Sequence, residues 1–143
     1  MTITTAETVA LVERVAEELA APRMWWGMSG HRVTGEAVAR HLEAAADLME
    51  REGWDPQFYA PLSGHSIVDA LNWTARDGAG DADTRYIART VTEALLRALT
   101  GAPYVDCEVW GEHSSRRLPE ILTALRGASR LARLYGPEGS GAC

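Results

Sequence analysis

The segment from Thr34 to Pro56 constrains the fold most tightly, because it carries the signals of one long amphipathic helix. Thr34 is a residue type that accepts hydrogen bonds from the free N–H groups at a helix start. Apolar residues then recur at helical spacing: Val38, Leu42, Ala45, Leu48 and Met49. Gly53 can adopt the positive φ that ends a helix, and Asp55-Pro56 prevents continuation. The pattern predicts a helix over 35–52.

The same periodicity predicts four further helices, at about 5–20, 66–76, 83–100 and 116–135. The expected N-terminal caps are Thr5 for the first, Ser66 for the second, Asp83 for the third, and Ser114 or Ser115 for the last. Segment 104–110 alternates apolar and polar residues, which predicts one short strand. The chain is therefore expected to be an all-α compact bundle of about five helices, with at most one short extended segment.

The domain organisation follows from the same pattern. Residues 1–136 are expected to form a single helical domain, because the chain has the length of one globular domain and no convincing internal repeat. Residues 137–143 follow the final helix with Gly, Pro and Ser, and they are expected to form a flexible C-terminal tail.

The charged residues exclude several reaction types. All fourteen basic residues are arginine, so no lysine can contact a phosphate in a P-loop, form a Schiff base or serve an SxxK hydrolase. The net charge of −6 disfavours general affinity for nucleic acid or anionic lipid. The two cysteines, Cys107 and Cys143, form no CxxC motif. An acidic first segment and the lack of an apolar run of membrane length predict a cytoplasmic protein without a membrane span.

Three of the four histidines lie in short Ser/Gly loops before expected helices, at His31, His65 and His113. They are the candidates for a metal site or for a small hydrolytic enzyme, with "GMSGH" (27–31) close to the G-x-S-x-G pattern. The long gaps between them and the missing second glycine favour a structural role at helix entrances. No catalytic residue, metal or cofactor is predicted.

Two segments are the candidate binding surfaces, and each has a structural alternative: the first can anchor a loop to the core, and the second can be a structural corner between helices. Trp25 and Trp26 lie in an irregular, Met-flanked stretch (24–28), where adjacent side chains cannot both point into a core. Aromatic residues and methionine are typical of partner interfaces and adaptable pockets. Trp54 and Trp73 are expected in the core. The turn that includes Trp110, Glu112, His113, Arg116 and Arg117 is the second candidate, and a pairing of Glu112 with an arginine is expected there.

Arg126, Arg130 and Arg133 form one stripe on the last helix. Segment 36–59 holds six acidic residues and two arginines. Such charge runs are usually solvent-exposed helix faces, and the alternative is that the two helices meet within the bundle or across a dimer. Contact of the stripe with DNA phosphates is a weaker alternative.

Three stretches together resemble a family of small actinobacterial proteins of unknown function: "HLEAAADLMEREGW" (41–54), "ALLRALTG" (94–101) and "VWGEHSSRRLPEILTALRGASRLAR" (109–133). Members of that family pair an "L..AA.L.E..GW" helix with a later "W-N-D" turn, an arginine and a closing helix. Trp110 and Arg116 or Arg117 match the turn, whereas Gly111 and Glu112 replace its Asn and Asp. The resemblance covers residues 38–134, and it implies a helical fold and no reaction.

The sequence therefore favours a helical accessory or regulatory protein that binds a protein partner or a second copy of itself, with a small ligand as a further option. A small enzyme that uses the loop histidines is the alternative, and a DNA-associated protein is the weaker one.

Overall fold

The structure is a computed structural model that describes residues 5–55, 64–113 and 115–139. Within these ranges the chain forms six α-helices and one 3₁₀ turn, and its only β-type pairings are two isolated bridges. The elements are α1 (Thr5–Ala20), the 3₁₀ turn (Pro22–Trp25), α2 (Gly35–Glu52), α3 (Ile67–Arg76), α4 (Ala82–Thr100), α5 (Cys107–Glu112) and α6 (Leu118–Tyr135). The expected all-α fold is confirmed. None of the described helices is long and apolar enough to cross a membrane.

Helix α2 is the central element, and its predicted bounds are confirmed at both ends. The Thr34 hydroxyl accepts a hydrogen bond from the Ala37 N–H at 3.1 Å. Gly53 has a φ of 97° and donates its N–H to the Met49 carbonyl, which ends the helix. The apolar stripe of α2 is buried, and the helix packs mainly against α6 and also against α3 and α4. The core therefore surrounds α2.

Two glycines let α2 and α6 approach closely at one end. A Cβ atom on Gly35 would lie 2.1 Å from the Ala132 carbonyl oxygen, and one on Gly136 would lie 2.3 Å from the Gly35 Cα. The Gly35 N–H also donates to the Pro137 carbonyl at 2.9 Å. The first turn of α2 is thus fixed against the end of α6, where any side chain would collide with backbone.

Ion pairs also join the two helices, with arginines of α6 contacting carboxylates of α2. Arg133 donates to Glu36 at 2.8 Å and to Glu43 at 2.9 Å. Arg126 reaches Asp47 and Glu50, both at 3.3 Å. The acidic helix and the arginine stripe therefore meet within one chain, which is one of the arrangements that their charges allowed.

The strand predicted over 104–110 is wrong, because a short helix forms there. The Asp106 carboxylate accepts hydrogen bonds from the N–H groups of Glu108 and Val109, at 2.9 and 3.1 Å. The Glu93 carboxylate accepts one from the Cys107 N–H at 2.8 Å. These carboxylates satisfy three free donors of the first turn, which stabilises α5 over an extended segment.

Two predicted helix starts are also wrong. The cap of α4 is Asp81 and not Asp83, since the Asp81 carboxylate accepts from the Thr84 N–H and the Thr84 hydroxyl accepts from the Asp81 N–H. Helix α6 begins at Leu118, after an Arg117 that makes no side-chain cap, and Ser115 is not its cap; Ser114, the other expected cap, lies outside the described residues. Thr5, the cap expected for α1, is the first residue described, and its side chain lies outside the described part. Trp73 is also displaced from the expected core, because its side chain is 44% exposed.

Candidate functional site

The turn that joins α5 to α6 forms one side of a surface groove. The groove has a volume of about 390 Å³ and lies where the end of α4, the following loop and α5 meet. Its lining residues are Thr100, Ala102, Tyr104, Val105, Asp106, Val109, Trp110, His113 and Arg116. Most of these side chains present apolar surface, and the volume falls within the range of about 300–1,000 Å³ typical of ligand pockets. We call this feature the Trp110 groove.

Two bulky apolar side chains on the walls of the Trp110 groove are exposed. Tyr104 is 78% exposed and Val109 is 65% exposed. The indole of Trp110 is half-buried and packs against the core, so it forms a fixed wall. Large exposed apolar side chains beside a recess are typical of a surface that contacts a partner.

Arg116 supplies the positive charge of the groove. Its Cζ atom lies 4.3 Å from the centroid of the Trp110 ring, in a cation–π contact. The Arg116 Nε–H donates to the Trp110 carbonyl at 3.1 Å, and Nη1 reaches Glu120 at 3.4 Å. The stacked ring and the carbonyl together hold the guanidinium in one orientation. Its other terminal nitrogen, Nη2, has no partner among the residues that the structure describes.

The negative charge that faces the groove is already compensated. One oxygen of the Asp106 carboxylate accepts from Arg89 at 2.8 Å, and the other accepts the two backbone N–H groups at the start of α5. Arg89 also contacts Glu93 at 3.3 Å. The carboxylate of Asp106 is therefore fully paired. Of these two charged groove residues, Arg116 is the one that still has an unused hydrogen-bond donor, at Nη2, within the described part of the chain.

The groove contains three of the five turn residues predicted for binding: Trp110, His113 and Arg116. Glu112 and Arg117 are exposed and do not line it. The expected pairing of Glu112 with an arginine is wrong within the described residues, since Arg116 reaches Glu120 instead. Tyr104 and Val109 were missed, because a strand was assigned to their segment. Asp106 is a residue type that caps helices, and this was the sequence signal from which a short helix with an exposed Val109 could have been predicted.

The two adjacent tryptophans separate as the sequence requires. Trp25 is 1% exposed, and its indole N–H donates to the Leu19 carbonyl at 2.6 Å, so it anchors the loop to the core. Trp26 is half-exposed, and Met28 is 77% exposed. Met28 lies at a second recess of about 310 Å³, together with Val68, Leu71, Asn72, Arg85, Tyr86 and Arg89. We call this feature the Met28 surface.

The loop at 26–32 is fixed to the start of α4 by Ser29. The Ser29 backbone N–H donates to the Asp83 carboxylate at 3.1 Å, and its hydroxyl contacts the other oxygen of that carboxylate. His31 Nδ1 lies 2.9 Å from the same hydroxyl. In a hydrolytic triad the histidine lies between the serine and the acid. Here the serine lies between them, so the arrangement does not activate Ser29 as a nucleophile.

His65 joins two helices and is occupied at both ring nitrogens. Nδ1 lies 2.6 Å from the Asp69 carboxylate in α3, and Nε2 lies 2.9 Å from the Glu52 carboxylate at the end of α2. Burial lowers the pKa of the ring, but the hydrogen bonds to Glu52 and Asp69 outweigh it and leave the His65 pKa raised. Ser66 caps α3 as predicted, because its hydroxyl accepts a hydrogen bond from the Asp69 N–H at 3.1 Å.

His113 bonds within its own turn. Its Nδ1 accepts from the Ser115 hydroxyl at 2.7 Å and from the Ser115 N–H at 3.1 Å. His31, His65 and His113 therefore have three separate sets of partners. Across residues 5–55, 64–113 and 115–139 there is no group of three or more His, Cys, Asp or Glu side chains that could hold a metal ion.

The fourth histidine, His41, is fully buried and lies within α2, not in a loop. Its Nε2 lies 2.9 Å from the Leu71 carbonyl and donates to it, while Nδ1 lies 2.8 Å from the Thr84 hydroxyl. Burial lowers the His41 pKa. The neutral ring thus links α2, α3 and α4. Cys107 is also buried, and burial raises the pKa of its thiol, so this cysteine is not a reactive nucleophile.

A family model of unknown function, DUF6197, matches residues 33–131. The chain belongs to the DUF6197 family. The matched region starts just before α2 and includes the whole Trp110 groove, whereas α1 and the Trp25–Trp26 pair lie outside it. No curated protein and no solved structure matches the chain. The match therefore confirms a family of unknown function over most of the region that the resemblance covers, and it assigns no reaction.

Proposed function

We propose that this DUF6197 protein is a non-enzymatic binding protein that takes a peptide segment of a partner protein into the Trp110 groove. The observation that carries the proposal is the groove itself, in which exposed Tyr104 and Val109 stand beside a fixed Trp110–Arg116 stack. Aromatic and arginine side chains are enriched among the residues that dominate binding energy at interfaces.

A selection from displayed random peptides tests this proposal. The library is presented in two forms, one with a free peptide C-terminus and one with both ends joined to carrier. We expect peptides that bind the natural protein and lose at least about tenfold in affinity for Val109→Glu, because a charge then lines the apolar wall. Leu134→Glu is the matched control, since Leu134 is 71% exposed and lies outside the groove. Selected peptides that bind both variants equally, or the absence of any binder, would refute the proposal.

A second proposal concerns self-association through the Met28 surface. Met28 and Tyr86 are exposed there, and Trp26, two residues before Met28 in the chain, is half-exposed. Methionine and aromatic side chains suit such contacts. We expect sedimentation velocity to reveal a dimer of the natural protein that dissociates on dilution. Met28→Glu should abolish the dimer, and the control Leu134→Glu should retain it. A monomer at every concentration would refute the self-association.

The enzyme and DNA alternatives have less support. The loop histidines bond to separate partners, and Arg126 and Arg133 are engaged by carboxylates of α2. We also infer a cytoplasmic location in an actinobacterium. The free, buried Cys107 thiol suits a reducing compartment, and heavy use of Ala, Arg and Gly suits a GC-rich genome.

A further inference from the structure

The Trp110 groove combines one oriented cation with an apolar wall, and this combination restricts what can fill it. Nε of Arg116 is held by the Trp110 carbonyl, Nη1 has only the 3.4 Å contact with Glu120, and Nη2 is unused among the described residues. The Arg116 side chain is 22% exposed, so solvent and a ligand can reach it. An arginine fork with unused donors matches a carboxylate.

The carboxylate must be close to the apolar group of the same ligand. Arg116 lines the same groove as the apolar wall, and its guanidinium carbon lies 4.3 Å from the centre of the Trp110 ring, so an anion bound to the guanidinium lies close to apolar surface. In an extended peptide, neighbouring side chains point to opposite sides, and the next side chain on the same side is about 7 Å away. An internal acidic residue therefore fits poorly beside an apolar neighbour.

A peptide C-terminus satisfies both requirements with one residue, because its carboxylate and its side chain share a single Cα atom. Resting on the proposed peptide-binding function, we propose that the Trp110 groove binds the C-terminal residue of a partner protein, with an apolar last side chain against Val109 and Tyr104 and its carboxylate on Arg116. Asp106 is compensated by Arg89 and by the start of α5, so it does not compete for Arg116, whose Nη2 can bind this anion while Nη1 keeps its contact with Glu120. Capture of a terminal carboxylate is an established mode of peptide recognition.

Three synthetic peptides test the inference against the natural protein. The first is an acetylated Gly/Ser peptide that ends in leucine with a free carboxylate. The second has the same sequence with a C-terminal amide, and the third carries an internal Asp-Leu pair between blocked ends. NMR titration follows the side-chain N–H signals of Trp110 and Arg116. We expect the free acid to bind about tenfold more tightly than the amide, because a charge-assisted hydrogen bond is lost in the amide.

Variants of Arg116 distinguish recognition of the peptide carboxylate from a general effect on the fold. Arg116→Gln is expected to bind the acid and the amide equally, and Arg116→Lys, which keeps a point charge, is expected to restore part of the preference. Arg117→Gln is the matched control: it removes the same charge from the neighbouring exposed residue outside the groove and should keep the full preference. Circular dichroism on each variant checks that the helical fold persists.

The outcomes distinguish this inference from the proposed function. Equal binding of acid and amide to the natural protein would overturn terminal recognition while peptide binding by the groove stands. Equal binding of the internal Asp-Leu peptide would overturn it in favour of internal acidic segments. If no peptide shifts the NMR signals of Trp110 and Arg116, the inference fails. The proposed function fails as well if the display selection yields no peptide whose binding depends on the groove.

Discussion

His41 and His65 differ in proton affinity because different atoms face their ring nitrogens. His65 lies between two carboxylates, which stabilise its protonated form and raise its pKa despite burial. His41 lies between a carbonyl and a hydroxyl inside the core, where burial disfavours its charged form and lowers its pKa. By linkage, a raised histidine pKa stabilises the fold at low pH, and a lowered one stabilises it at high pH.

We predict that His65→Gln lowers the free energy of unfolding by about 1–2 kcal/mol at acidic pH, since two charge-assisted hydrogen bonds are lost and one carboxylate partner is half-exposed. The His65 contribution is fully present below its unfolded pKa of about 6.5 and disappears as the pH rises through the raised folded pKa. Urea unfolding at several pH values measures the difference between variant and natural protein. A difference that does not shrink toward alkaline pH would contradict the assignment.

His41→Gln is predicted to act in the opposite sense. The neutral His41 ring contributes stability above its unfolded pKa of about 6.5, and this contribution is lost as the pH falls through the lowered folded pKa. At pH 8 the substitution should cost about 1–3 kcal/mol, the usual cost of leaving buried polar groups without partners. The same urea titrations should find a smaller cost at acidic pH. A cost that grows on acidification would show that His41 is not held neutral.

At the scale of single elements, a helix was predictable where periodicity and capping agreed. Both agreed for α2, and its ends are as predicted. For α5 they conflicted, because Val105, Cys107 and Val109 alternate like a strand although Asp106 can cap a helix. The cap prevails because Glu93, fourteen residues before Cys107, supplies a further acceptor to the first turn. No local pattern could reveal that tertiary contact.

Asp106→Ala is therefore predicted to destabilise α5, by about 1 kcal/mol for the lost cap. Amide hydrogen exchange at Val109 and Trp110 should become faster, and groove-dependent peptide binding should weaken with it. Asp106→Asn is the matched comparison, because its amide oxygen can still accept from the backbone while the charge that pairs with Arg89 is gone. We expect Asn to preserve most of the protection. Equal loss in both variants would mean that the Arg89 ion pair, and not the cap, maintains α5.

At the scale of the whole molecule, the sequence predicted the fold class and part of the candidate site. Opposite charges on two segments left a contact between α2 and α6 as one of the alternatives, and the structure contains it. Trp110, His113 and Arg116 belong to the turn that the sequence offers as a binding candidate, and they line the groove. The groove as a cavity was not predictable, since its walls come from the end of α4, a loop and α5, which meet only after the helices pack.

The closest approach of α2 and α6 provides the final prediction. A Cβ atom at position 35 would lie 2.1 Å from a backbone oxygen of Ala132, and backbone cannot rotate away as a side chain can. Gly35→Ala should therefore lower the free energy of unfolding by about 1–3 kcal/mol, the usual cost of overpacking, although alanine favours helices intrinsically. Gly139→Ala is the control, because a Cβ atom there meets nothing within 4 Å. Thermal and urea unfolding of both variants measure the effect. If the Gly35→Ala protein is as stable as the natural one, α2 and α6 can separate at this end at little cost. The buried contacts farther along the two helices would then have to hold them together.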